Sequence, residues 1–195
     1  MTLVIRQLAI GLRYLLLLTV LTGIAYPAVI LGIGQLVAPA AANGSPVTRD
    51  GGVVSSALIG QDFEHAADAE RWFWRRPSAA DYDGLASGGS NLAAGNPELL
   101  AAVERRRADL AAVNGVDASA IPPDALTSSG SGLDPEISPA YARIQVDRVA
   151  TARGLEPSAI LALVEAHISE PLLGFVGQPR ANVLDLNLAL DQSSR

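Results

Sequence analysis

Residues 14–38 carry no charged side chain. No other feature constrains the fold so strongly. A helix rises about 1.5 Å per residue, so this run reaches roughly 37 Å. That is enough to cross a hydrocarbon core about 30 Å thick with some tilt. Arg6 and Arg13 precede the run and no acid does. Arginine accumulates on cytoplasmic flanks, so the N-terminus is expected in the cytoplasm and the bulk of the chain outside it. The alternative is a cleaved signal peptide, for which Ala38-Pro39-Ala40 offers small residues at a cleavage position. A signal's apolar region is about 7–15 residues long, so a retained single-pass anchor is expected instead. Within it, Ala25, Ala28 and Gly32 fall on one face, where small side chains let another helix approach closely. Pro27 has no N–H and crowds the carbonyl of Gly23, which predicts a mild kink.

The expected division is a cytoplasmic N-terminus over 1–13, a transmembrane helix over 14–38, a linker over 39–52 and an extracytoplasmic domain over 53–195. The chain has no cysteine. The outer domain must therefore hold together through its own core, without disulfides or thiolate metal sites. All 14 basic residues are arginine, and 12 of them follow the apolar run against all 20 acids, a net of −8. Such a balance makes nucleic acid and anionic headgroups poor partners.

Beyond the linker, residues 53–59 read as a short strand closed by Gly60. Trp72-Phe73-Trp74 is an aromatic cluster, and residues 81–95 are rich in turn formers. Asn96-Pro97-Glu98 joins a capping side chain, proline at the first helical position and an acid in the first turn. Leu99, Val103, Leu110 and Val113 mark that helix's apolar face, and Asn114-Gly115 ends it. Ser138-Pro139 opens a second helix running to Arg153 before Gly154. Pro157 opens a third, ending near Ile168. Residues 183–190 fit either a strand or an amphipathic helix end. The mixture predicts one α+β domain behind one transmembrane helix.

Catalytic chemistry has little to work with. Only His65 and His167 could serve a Ser/His/Asp site, and Ser131 lacks the G-x-S-x-G spacing of a nucleophile elbow. Its serines and glycines read as turn and cap residues. His65, near Glu64 and Asp68, reads as part of a solvated helix face rather than a metal site. The chain has no lysine and so no Walker loop. Ser87-Gly88-Gly89-Ser90 with Asn91 could hold an anion as a backbone nest. It reads more simply as a turn leading to the Asn96 cap.

Many short motifs occur together: Asn43-Gly44-Ser45, Leu58-Ile59-Gly60-Gln61, Arg76-Pro77-Ser78-Ala79, Ser87 to Asn91, Asn96-Pro97, the whole of 127–139, Gln145, Arg148-Val149-Ala150, and 179–187. In order and spacing the chain resembles the C subunits of the Kdp potassium pump, a bacterial P-type ATPase of four subunits. The departures include Gln178, where the family usually has glutamate. The resemblance implies a non-catalytic plasma-membrane subunit. Its partners would be the lipid bilayer, a channel-like subunit and a catalytic P-type subunit, with no nucleic acid. The family is described as stabilising the complex and raising ATP affinity, which makes Ser87, Gly88, Gly89, Ser90 and Asn91 a candidate nucleotide-affinity motif. Arg76, Gly130, Ser131, Gly132 and Asp134 become candidates for subunit contact or loop structure. With the domain outside and ATP inside, no cofactor is expected to bind this chain tightly, and any effect on ATP is expected to pass through the complex. The alternatives are a membrane-tethered extracytoplasmic hydrolase or a ligand-binding module.

Overall fold

The computed structural model describes residues 2–49 and 51–193, so the outermost ends of the expected segments, at residue 1 and residues 194–195, lie outside it. Contacts divide the chain into two units that meet between Ser56 and Ala57.

The first unit is built on α1 (Thr2–Val37), a helix of 36 residues whose most apolar 18-residue window has mean hydropathy 2.2 and is not buried. It is long and apolar enough to cross a membrane, and it begins well before the charge-free run. The disturbance expected ahead of Pro27 takes the form of a π turn over Leu21–Ala25, in which the Tyr26 amide donates to the Leu21 carbonyl. Proline cannot donate to the turn before it, and one wider turn absorbs the mismatch. Thr22 Oγ1 donates back to the Leu18 carbonyl at 2.7 Å just before it.

The stretch expected to be a linker has structure of its own. Ala38 leaves helical geometry (φ −146°), and one helical turn follows over Pro39–Ala42. The Gln35 and Asn43 side-chain amides exchange two hydrogen bonds of 3.1 Å, tying this turn to α1. Then β1 (Pro46–Arg49) and β2 (Gly52–Ser56) form an antiparallel hairpin with a bulge between Val47 and Thr48. The strand expected over 53–59 is therefore shorter. Its tail instead serves the second unit: Gly60 N–H donates to the Leu133 carbonyl at 2.8 Å, and Asn182 donates to the Ala57 carbonyl at 2.8 Å.

The second unit is α+β. Its helices longer than four residues are α2 (Pro97–Asn114), α3 (Pro139–Ile144), α4 (Val146–Arg153), α5 (Pro157–Ala166) and α6 (Val183–Ser193). A small antiparallel sheet has the order β3 (Glu136–Ile137), β5 (Arg180–Asn182), β4 (Ile168–Ser169). Helix α2 starts and stops as expected, with Asn96 Oδ1 accepting from Glu98 N–H and Gly115 left-handed at φ 65°. Residues 183–190, which fitted two readings, are helix: Asn182 Oδ1 accepts from Leu184 and Asp185 N–H and caps α6.

The helix expected over 138–153 is two helices broken at Gln145. The Gln145 amide donates to Ala142 O instead of Tyr141 O, and its side chain donates to Tyr141 O at 3.2 Å. The break aims this buried side chain at the centre of the domain. There Phe73, Tyr141, Leu110, Val149, Ile160, Val164, Leu186 and Leu190 form the core. The extended segment 72–75 threads through it without a strand partner. Two amide side chains replace the missing strand. Asn187 accepts from Phe73 N–H (2.8 Å) and donates to Phe73 C=O (3.0 Å). Gln145 does the same for Trp74, at 2.6 and 3.1 Å. Buried backbone groups must be paired, and this arrangement pairs them.

Arg148 completes the network. Its guanidinium donates to the carbonyls of Ala69, Glu70 and Trp72, and to Asn114 Oδ1 and Gln145 Oε1. It also lies 4.2 Å over the Trp74 ring. Burial pulls its pKa down to about 10, so it stays charged at neutral pH.

Candidate functional site

The residues singled out in the two serine- and glycine-rich stretches come together in the second unit. Ser87 Oγ and Gly88 N–H both donate to the Ser131 carbonyl, at 2.9 and 2.8 Å. A Cβ on Gly89 would meet the Gly130 carbonyl at 3.1 Å, and one on Gly132 would meet the Gly88 carbonyl at 2.5 Å. Gly132 is also left-handed, at φ 68°, a conformation that disfavours other residues. The two stretches thus form one backbone seam with glycine on both sides. Ser78 Oγ fastens its far edge, donating to Gly132 O at 2.6 Å and accepting from the Ala80 and Tyr82 amides.

The turn expected over residues 87–91 is not formed: the segment runs without turn or helix and is held against 129–132 instead. One amide of the would-be nest, that of Gly88, is already engaged. Asn91 is left-handed at φ 53° and donates its side chain to Gly89 O. Ser131 Oγ accepts from Leu133 N–H and faces Ser129 Oγ at 3.5 Å. The histidines are engaged elsewhere, His65 with Asp62 and His167 with the Leu163 carbonyl. The serine and histidines of the hydrolase alternative are thus held in separate contacts.

Arg76 and Asp134 pair at 3.2 Å, and Arg76 also reaches the Thr127 carbonyl. Asp134 Oδ1 accepts from Glu136 N–H and so fixes the start of β3. Beneath them Gly60 packs so tightly that a Cβ there would overlap the Tyr82 ring. Arg75 stacks 3.8 Å over that ring and pairs with Asp62 at 2.9 Å. Burial pushes the Asp62 carboxyl upward, but the His65 hydrogen bond and Arg75 outweigh it and hold its pKa below the usual value.

A groove of about 650 Å³ opens beside Arg76 and Asp134, bounded by Asp124, Glu136, Ser138 and Arg180. Its arginines are both paired, and its one unpaired acid, Asp124, is hydrogen-bonded. Arg180 pairs with Glu136 at 2.6 Å. Asp124 accepts from both the amide and the hydroxyl of Ser138, while Ser138 Oγ caps α3 by accepting from Tyr141 N–H.

In the first unit, Ala25 closes the π turn while Ala28 and Gly32 lie in the α-helical part of α1, all exposed. A Cβ on Gly32 would meet nothing within 4 Å. Sequence reasoning did not single out the Asn187 and Gln145 brackets or the role of Arg148. Gln145 and Arg148, isolated polar residues within the pattern of one helix, were the signal that could have found them.

A helix long and apolar enough to cross a membrane, followed by an α+β domain, has the build of a single-pass membrane protein. Comparison with known proteins gives the family. Residues 8–192 match the family described as "K+-transporting ATPase, c chain", and the chain belongs to it. It is 50% identical over 192 residues to a "Potassium-transporting ATPase KdpC subunit" of Kineococcus radiotolerans, covering 97% of this chain and 95% of that one. It is 50% identical over 181 residues to the protein of the same name from Cereibacter sphaeroides, covering 93% and 94%. The Caulobacter vibrioides protein of that name is 52% identical over 179 residues, covering 90% and 87%.

Proposed function

We propose that this chain is the non-catalytic accessory subunit of an ATP-driven potassium pump, holding the assembly together from its single membrane helix and its folded domain. The match across residues 8–192 carries the reading, and the single candidate span among the described residues fits it. The P-type chemistry belongs to another subunit of the pump. The N-terminus lies in the cytoplasm and the α+β domain outside, as the arginines ahead of the charge-free run direct. ATP then acts on this chain, and this chain on ATP affinity, only through the assembled complex. The face of Ala25, Ala28 and Gly32 is where a helix of a channel-like or catalytic subunit packs.

The test is co-purification. The tagged chain should bring down the P-type catalytic subunit from detergent-solubilised membranes. Ala28→Leu with Gly32→Leu should reduce that recovery while the domain's melting temperature stays unchanged. Failure of the unaltered chain to recover the catalytic subunit would overturn the reading.

A further inference from the structure

Residues 14–48 carry no charged side chain, so the charge-free run continues past the end of α1 at Val37. The chain reverses at Ala38 and lays the helical turn Pro39–Ala42 back along α1. A Cβ on Gly34 would meet the Ala42 Cβ at 3.4 Å, and the Asn43 side chain bonds that of Gln35. Ser56 Oγ then ties the end of β2 to the Gly44 carbonyl at 2.7 Å. Arg49, at the end of β1, is the first charge after Arg13.

Helix length places this reversal. A charged side chain is costly inside hydrocarbon, so Arg13 marks one edge of the span. At about 1.5 Å per residue, Gln35 lies about 33 Å further along the helix and Val37 about 36 Å. A hydrocarbon core about 30 Å thick ends just short of Gln35, and the headgroup layer beyond it is only about 5–7 Å deep. The reversal at Ala38 falls within that layer, and the turn comes back to the hydrocarbon boundary. The distances are the same for either orientation of α1. The segment suits such a place. The amides of Ala42, Asn43, Gly44 and Ser45 all donate to carbonyls of 38–41, so little is lost when they leave water. The side-chain amides of Gln35 and Asn43 satisfy each other. Leu36 is 87% exposed and Val37 78%, and Ala40 and Ala41 are exposed beside them. At this depth the material that covers such a surface is lipid.

We infer that the fold-back over Pro39–Asn43 is a membrane-surface foot, seated in the lipid headgroup layer with Leu36, Val37, Ala40 and Ala41 against lipid and the Gln35–Asn43 pair at the edge of the hydrocarbon. The inference rests on the reading of α1 as a membrane span and goes beyond it. With 36 residues, α1 is longer than a bilayer core, so its length alone does not fix its depth; the foot does. The foot is uncharged, so its partner is a bilayer surface of any headgroup charge, unlike basic surface helices that need anionic lipid.

The chain has no cysteine, so one introduced cysteine carrying a bimane label reports depth without background. The full chain is placed in phosphatidylcholine vesicles with the label at Ala41→Cys, at Leu18→Cys within the span, or at Ala101→Cys, which is exposed on α2. Iodide should quench the label at 41 several-fold less than the label at 101. A spin label on the lipid headgroup should quench position 41 more than one deep in the acyl chain, and position 18 should show the reverse. Iodide quenching at 41 equal to that at 101 overturns the foot; if the deep spin label still reaches position 18, the membrane span stands. Iodide quenching of position 18 as well overturns both. Quenching at 41 chiefly by the deep spin label puts the turn inside the hydrocarbon and also overturns the foot. Adding phosphatidylglycerol should change none of these values, and a dependence on it overturns the uncharged contact. In the assembled pump, a photoreactive amino acid at position 41 should cross-link to lipid. Cross-links to another subunit only, or none, overturn lipid as the cover.

Discussion

Two stretches without regular secondary structure meet the same requirement in different ways. Segment 73–75 is buried, and its backbone is paired by side chains from distant helices, Asn187 and Gln145, with Arg148 behind them. The seam of 87–89 against 130–132 lies nearer the surface, and there two backbones approach directly, joined by the Gly88 amide on the Ser131 carbonyl and by nearby hydroxyls. The first depends on what particular side chains can donate and accept. The second depends above all on the missing Cβ at Gly89 and Gly132. Substitutions should therefore fail differently in the two regions, and the contrast can be broken or sharpened by measuring them.

The largest effect is expected at Arg148. Replacement by methionine keeps much of the volume but leaves buried Asn114 Oδ1 and the half-buried Trp72 carbonyl without this donor, while the Ala69 carbonyl keeps the Trp72 amide and the Trp74 indole. Stranded buried acceptors cost about 1–3 kcal/mol each where water cannot replace the donor. Arg148→Met should lower the domain's stability by on the order of 3 kcal/mol or more in denaturant unfolding. Asn187→Leu should come close behind, since it strands both the donor and the acceptor of Phe73. If either variant unfolds at the unaltered midpoint, water must satisfy the segment and the side-chain bracket is not what holds it.

The seam should respond to added atoms rather than lost ones. Gly132→Ala places a Cβ against Gly88 O in a left-handed backbone. Such strain costs about 1–3 kcal/mol, so a loss of about 2 kcal/mol is expected. Gly130→Ala, at a position with open space and no positive φ, should be nearly silent. Equal losses at the two glycines would mean that the seam is not the fixed packing described here.

The same contrast explains what could be read from the sequence. Punctuation acts locally, so Asn96-Pro97, Gly115, Ser138-Pro139 and Pro157 marked helix ends that the structure reproduces. The charge-free run marked the membrane helix for the same reason. Gln145 broke the expected helix because its partner, Trp74, lies 71 residues away in sequence, and no local pattern encodes such a bond. The linker hid a hairpin because β1 and β2 are short and largely exposed, so no buried alternation announces them. The joining of 87–91 to 129–134 was equally invisible, since glycines that avoid a clash look the same as glycines that make turns.

Ser138 sits between the two regimes, a side chain doing a local job. Its hydroxyl caps α3 and also donates to Asp124. Ser138→Ala should cost about 1 kcal/mol, as loss of a cap usually does, while Ser138→Asp should restore the cap but repel Asp124. A melt of Ser138→Ala indistinguishable from the unaltered chain would remove the capping role.

The smallest expected effect is electrostatic and appears only in acid. The Asp62 carboxyl meets opposing influences: burial raises its pKa, while the His65 hydrogen bond and Arg75 lower it, and the net direction is down from 3.8. A carboxyl whose pKa is lower folded than unfolded binds its proton more readily in the unfolded chain. Its stabilisation is therefore fully present above the unfolded value and is lost as the pH falls through the folded one. Asp62→Asn should accordingly be less stable than the unaltered chain by a constant amount from neutrality to about pH 5, one unit above the ordinary aspartate range. Below that the two stability curves should converge. The side chain is about one-third exposed, so solvent screening keeps the difference small. Parallel curves down to pH 2 would mean that Arg75 is held by the Tyr82 ring rather than by the charge of Asp62. In that case Tyr82→Leu, which removes the stacked ring, should be the more damaging change.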